Sequence, residues 1–343
     1  MRRAGGWRSG RTPRQRRAFV VGGGLLATAV VMLLAAWRSS GFLSDLLLNL
    51  GASVVLAAIS YVIFDPLFEE ARKARVQEHL SFDQEAFVAR LDRCRRVRIL
   101  DTWTILLDDQ HRQATLAAVE AALRNGAEVN LLLLDPDCTA AQQRSEELER
   151  QGVDVPGHIR ANLRHLMALR RKLGENERFQ VRVYDASPSI QLYQWDGRSL
   201  ISFFPVGKLS FNVPQLEVDM GSPLGGFVHA RFEELWDHDQ ATVPLERYDR
   251  LTVTLGDESS DYLRAEMAYV EVDGEHYIDC ERSRPNLSLT ARVPMPPRTP
   301  GSTPRVFTLV EPVDEERAPV TRRFDEKYGP ARAERTILRL APQ

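Results

Sequence analysis

Two long runs without a charged residue, Ala18–Trp37 ("AFVVGGGLLATAVVMLLAAW") and Leu46–Phe64 ("LLLNLGASVVLAAISYVIF"), constrain the N-terminal part of this chain more than any other feature. A bilayer core takes roughly 20 apolar residues of helix, a length that each run supplies. A secretory signal would have an apolar core of only ~7–15 residues and a small-x-small cleavage site. Here the first run ends in Trp37-Arg38 and a second follows. The short connection "RSSGFLSD" (38–45) predicts an antiparallel transmembrane hairpin. Charge sets its direction. The net charge is only −2, yet Arg2, Arg3, Arg8, Arg11, Arg14, Arg16 and Arg17 crowd the first 17 residues, and Arg72, Lys73 and Arg75 follow the second run. The positive-inside rule then makes 1–17 a basic cytoplasmic tail and 18–64 the hairpin. The expectation is a multi-pass protein of the inner (plasma) membrane, integral to it, with both termini cytoplasmic.

Cys94, Cys138 and Cys280 lie far apart, with no C-x-x-C, and a cytoplasmic location predicts free thiols. The seven histidines form no H-E-x-x-H or H-x-H pair, so no metal site is expected.

From about residue 80 the periodicity alternates. "RRVRILDTW" (95–103) is β-prone, and "HRQATLAAVEAALRNG" (111–126) has helical apolar spacing with Asn125-Gly126 as a stop. "AEVNLLLLD" (127–135) reads as a buried parallel strand. Strand, helix and strand at this spacing predict a right-handed βαβ unit. A long helix over 156–174, with its basic residues on the wet face, leads to a strand over 179–185. "SIQLYQW" and "RSLISFF" flank Asp196-Gly197, a strong hairpin signal. A helix over 224–236 closes an α/β domain assigned to 80–237.

This order of elements, with "AVEAALRNGAEVNLLLLDPD", "FQVRVYD", the hairpin and "FEELW", resembles the phospholipase D superfamily. The likeness covers roughly 95–237 and is greatest for bacterial domains of that kind joined to membrane or regulatory modules. It implies an α/β sandwich whose hairpin carries His-x-Lys-x4-Asp in members that cut phosphodiesters. Ending that pattern at Asp196 puts Ser189 at the histidine place and Gln191 at the lysine place. Residues two apart on a strand share a face, so both would point together at a ligand. The chemistry needs an imidazole nucleophile, for which an unassisted serine is no ready substitute, and glutamine cannot neutralise a phosphate. No catalytic residue is therefore assigned. The expected site is a non-catalytic one: Ser189, Gln191 and Tyr193 line it at period two, Trp195 stands at its rim, and Asp196 and Glu217 border it. Such a set suits a neutral or stacked ligand, a small molecule or nucleotide. The competing reading packs Tyr193 and Trp195 under the long helix. His229, Lys208 and Asn212 are weighed as alternatives and set aside as surface or packing residues.

After Trp236, "HDQATVPLERY" (238–248) reads as a linker and 248–343 as a small β-rich domain with one helix near 314–329. The proline-rich stretch 294–304 is expected to be an exposed loop. The ending "RRFDEKYG…RTILRLAP" is similar to bacterial split-barrel domains of the flavin or deazaflavin type, but no phosphate-binding cluster accompanies it, so no cofactor is assigned.

Two function classes follow. The first is a membrane-anchored sensor or scaffold, not an enzyme, whose degenerate phospholipase D-like domain binds a ligand or partner. The alternative is a membrane-bound enzyme, either a divergent phosphodiesterase or a flavin-dependent oxidoreductase. Because family domains with one motif build a site from two copies, a two-fold homodimer is expected. Nucleic acid is not expected as a partner.

Overall fold

The computed structural model describes residues 13–38, 46–56, 76–256, 263–280, 290–298 and 301–343. The chain divides into two compact units, Met1–Arg75 and Val76–Gln343.

In the first unit, α1 spans Pro13–Arg38 and a second helix, α2, covers the described residues 46–56. Residues 57–64 of the second uncharged run lie outside the described residues. Among the described residues no helix is long and apolar enough to cross a membrane. This corrects the transmembrane hairpin, and with it the integral-membrane partnership and the multi-pass placement. The physical reason lies in composition. In α1, the glycines at 22–24 and Thr28 divide the apolar run. The two helices meet through small residues: Ala29 and Ala36 are buried, and a methyl group on Gly51 would rest 3.4 Å from Leu33.

The second unit begins with an eight-stranded sheet. Its strands are β1 (Gln77–His79), β2 (Arg96–Asp101), β3 (Glu128–Leu134), β4 (Phe179–Tyr184), β5 (Gln191–Trp195), β6 (Arg198–Ser202), β7 (Gln215–Asp219) and β8 (Thr242–Pro244). They lie in the order β1-β7-β6-β5-β2-β3-β4-β8. Only β2–β3 and β3–β4 pair in parallel. β2 and β3 are buried almost throughout, as strands covered on both faces require, and β2 buries Arg98 and Asp101 along with its apolar residues. The helices are α3 (Gln84–Leu91), α4 (Arg112–Arg124), α5 (Thr139–Glu147), α6 (Val155–Leu173), α7 (Pro223–Trp236) and α8 (Leu245–Asp249). α4 stops where expected, because Gly126 takes φ 87° and its N–H bonds to Leu123 O. α6 starts where the Asp154 carboxylate accepts the Gly157 N–H at 3.0 Å. A Cβ on Gly157 would lie 2.2 Å from that carboxylate, so a larger residue there would make the Asp154 side chain turn.

The expected linker 238–248 is folded: β8 pairs with β4 at the sheet edge, and Tyr248 of α8 is buried. Thr242 and Val243 supply the buried β-branched faces that an edge strand needs.

The expected β-rich domain is a closed six-stranded barrel of β9 (Arg250–Gly256), β10 (Leu263–Val272), β11 (Glu275–Asp279), β12 (Thr290–Met295), β13 (Thr303–Val310) and β14 (Ile337–Pro342). Period two sorts its faces. Tyr269 joins Leu251, Val253, Ile278 and Leu338 inside, while Ala268, Val270 and Tyr277 pack with Val320 and Phe324 of α9 (Asp314–Tyr328). The proline-rich stretch is no free loop in its described part. Arg298 bonds to Asp135 and, at 3.1 Å, to Asp137 at the end of β3.

Candidate ligand pocket at the end of the central strands

The hairpin residues do not share one open face. β5 pairs with β2 on one side and β6 on the other, and its Gln191 and Tyr193 are sealed in the core. Both donate to Oδ2 of Asp101, the last residue of β2: Gln191 Nε2 at 2.7 Å and Tyr193 OH at 2.6 Å. The Thr102 N–H, 2.7 Å from Oδ1, completes the carboxylate's shell. Burial nevertheless pushes the Asp101 carboxyl up from 3.8 to about 7, against these donors and the nearby Arg144. Ser202 OH supports Gln191 from β6 at 3.1 Å. Phe82 stacks on Tyr193 with ring centres 4.3 Å apart, and Phe87 of α3 meets its edge at 5.4 Å.

The remaining expected residues go elsewhere. Ser189 precedes β5, is exposed and accepts from Arg231 Nε at 3.2 Å. Trp195 packs edge-on against Phe87 at 5.9 Å beneath the Arg90 guanidinium. Asp196, at φ 46°, is a turn residue whose carboxylate accepts the Arg95 and Arg96 N–H groups at 2.8 and 3.0 Å. Glu217 lies on β7 between His79 and Arg198, each 2.9 Å away. Among the residues set aside, His229 accepts from Arg98 at 2.9 Å. The Lys208 carbonyl accepts from the buried Arg144 at 2.7 Å.

The buried chain continues outward from Tyr193. Its one proton goes to Asp101, so the Thr104 hydroxyl, 3.0 Å away, donates to it. The Thr104 N–H in turn donates to Asn162 Oδ1 of α6 at 2.7 Å. Asn162 and Thr104 form part of the wall of a cavity of about 280 Å³ at the carboxyl end of β2, between the 103–112 segment and α6. Trp103 and His158 stack at one side of it with centroids 5.6 Å apart. Asp108, Arg112 and His165 stand at another. Arg112 donates to Asp109 at 2.8 Å and to His165 Nε2 at 3.2 Å. A guanidinium only donates, so His165 Nε2 is the acceptor and its proton sits on Nδ1. Burial, then Arg112 and Arg164, lower the His165 pKa, which keeps the ring neutral.

Sequence reasoning did not assign Trp103, His158, Asn162 and His165 to a site. A signal was present: His158, Asn162 and His165 recur at helical spacing between the apolar Ile159, Leu163 and Leu166.

Residues 74–203 match a family model described as a domain of unknown function, DUF5919, and the chain is similar to it over that stretch. No curated protein matches the chain. Among solved structures, it resembles TrmBL2, an archaeal chromatin protein reported to show a novel mode of DNA binding. That likeness has 12% identity and a TM-score of 0.30, over 57% of this chain and 66% of that one, just under two thirds of its length.

Proposed function

We propose that the 76–343 unit is a non-hydrolytic binding module, a phospholipase D-like scaffold that holds a small molecule in the pocket beneath Trp103 and His158. The observation that carries this reading is how the hairpin's polar groups are used. Gln191 and Tyr193 are consumed by Asp101 inside the core, while a cavity opens at the outer end of the same hydrogen-bond chain. Carboxyl ends of parallel strands are where α/β sheets bind ligands. The cavity has the usual make-up of such sites, aromatic walls with a few fixed polar groups, and lies just below their ~300–1,000 Å³ range. Ser189 has an arginine as its partner, so no base stands ready to take its proton.

Two measurements on the full chain test this. Mass spectrometry of molecules released on denaturation should find a retained small molecule that is lost from the Trp103→Leu variant. A generic phosphodiester should not be cleaved. Cleavage by the unmodified chain, abolished by Ser189→Ala, would overturn the proposal.

A further inference from the structure

We infer that the pocket under Trp103 selects a neutral, planar nitrogen heterocycle of the nucleobase class and discriminates against its phosphorylated forms. This rests on the pocket reading above and deepens it by naming the ligand's chemistry.

Three features of the pocket lead there. The first is shape. Trp103 and His158 stack on each other with 21° between their planes, and both line the cavity, so this side of it presents flat aromatic rings. A flat wall favours a ring over a branched aliphatic group. Base-on-aromatic stacking contributes about 1–3 kcal/mol per base.

The second feature is the set of unspent hydrogen-bonding groups. Asn162 is 3% exposed and uses its carbonyl oxygen on Thr104. Its NH2 group has no protein partner among the described residues and is not one of the fully buried unpaired atoms, so it is open to the cavity and can donate into it. His165 is held with its acceptor nitrogen toward Arg112, which fixes an N–H at Nδ1. Asp108 spends Oδ1 on both the backbone N–H and the ring of His111, at 3.0 and 3.1 Å. Its Oδ2 remains as an acceptor. Two donors and one acceptor around a flat wall match the mixed edge of a nucleobase, whose ring nitrogens and carbonyls accept and whose N–H groups donate.

The third feature is charge. Asp108 and Asp109 face Arg112 as the single guanidinium of the lining, and His165 contributes no charge. Arg112 is already turned to Asp109. A phosphate would therefore meet two carboxylates and a cation engaged elsewhere, whereas a neutral ring meets no such repulsion.

The test titrates the full chain with adenine, guanine, cytosine, uracil, their nucleosides and their 5′-monophosphates, read by tryptophan fluorescence and by hydrogen-exchange protection of residues 103–112. At least one base or nucleoside should bind saturably and protect that segment, and its monophosphate should bind at least tenfold more weakly. Asp108→Asn should shrink that ratio severalfold, because Asn keeps the Oδ1 contacts but removes a negative charge. Trp103→Leu should abolish binding. Monophosphate binding as tight as that of the base, or no binding by any base or nucleoside, overturns the inference. If glutamate or spermidine protects 103–112 instead, the pocket stands and the ligand class falls. Base binding unchanged in Trp103→Leu would show that the pocket reading itself is at fault.

Discussion

Asp101 is the place where this fold carries a stability cost that pH can expose. Its carboxyl is fully buried and titrates at about 7 in the folded protein against an ordinary 3.8. The sign follows from proton counting. Between those two values the folded chain holds a proton that the unfolded chain has released, so stability is greatest below 3.8 and falls as pH rises through 7. At ~1.36 kcal/mol per pH unit, the whole span amounts to about 4 kcal/mol, of which about 2 kcal/mol falls between pH 5 and pH 7. Asp101→Asn removes the titrating group and keeps its shape. One position that accepts from Gln191 and Tyr193 becomes an NH2, so the variant should also lose about 1–3 kcal/mol where a donor is left unmatched. The informative quantity is the slope. Urea unfolding followed by near-ultraviolet circular dichroism at pH 5, 6, 7 and 8 should show the unmodified chain losing about 2 kcal/mol relative to the variant by pH 7. Parallel pH profiles for the two proteins would refute the assignment of a raised carboxyl to Asp101.

Two further perturbations probe how the barrel is held to the sheet domain. Arg298→Ala leaves Asp135 buried without its partner and removes the guanidinium over Tyr248 at 4.9 Å. It should cost about 2–4 kcal/mol in a denaturation midpoint, discounted because Arg298 is partly open to water. Adding Asp135→Asn should recover much of that loss, and an unrescued double variant would contradict the pairing. Lys327 is buried, with its Nζ 3.8 Å from the ring centre of Tyr269 and 4.6 Å from that of Tyr248, and burial, followed by Arg298, lowers its pKa well below 10.5. Lys327→Ala should therefore cost about 2–4 kcal/mol as a cavity, whereas Lys327→Met, which keeps the stem and needs no desolvated charge, should stay within about 1 kcal/mol of the parent. Equal losses in thermal unfolding would show that the ammonium, not the stem, holds α9 in place.

What could be read from the sequence and what could not divides along one physical line. β2, α4, β3, β4 and the Asp196-Gly197 hairpin were legible because their signals are local: an unbroken apolar run, a 3.6-residue stripe, a turn pair that tolerates positive φ. Uncharged runs are local too, yet among the described residues no helix is long and apolar enough to cross a membrane. Ser189 was placed by spacing and Glu217 by the family resemblance, yet their partners, Arg231 and His79, come from segments 42 and 138 residues away.

The pocket turns on the same distinction. Period-two alternation puts Gln191 and Tyr193 on one face of β5, but it does not say whether that face is open. Its cover comes from Phe82 and from Phe87 of α3, about a hundred residues earlier, and α3 is a short helix with only Phe87 and Leu91 buried, too weak a stripe to announce itself. Once that face is closed, a buried carboxylate needs donors, and Gln191 and Tyr193 supply them. The residues that a catalytic spacing would have turned toward substrate instead satisfy Asp101. The side chains that line an open cavity are instead those that the chain from Tyr193 through Thr104 reaches at its outer end, on the 103–112 segment and α6.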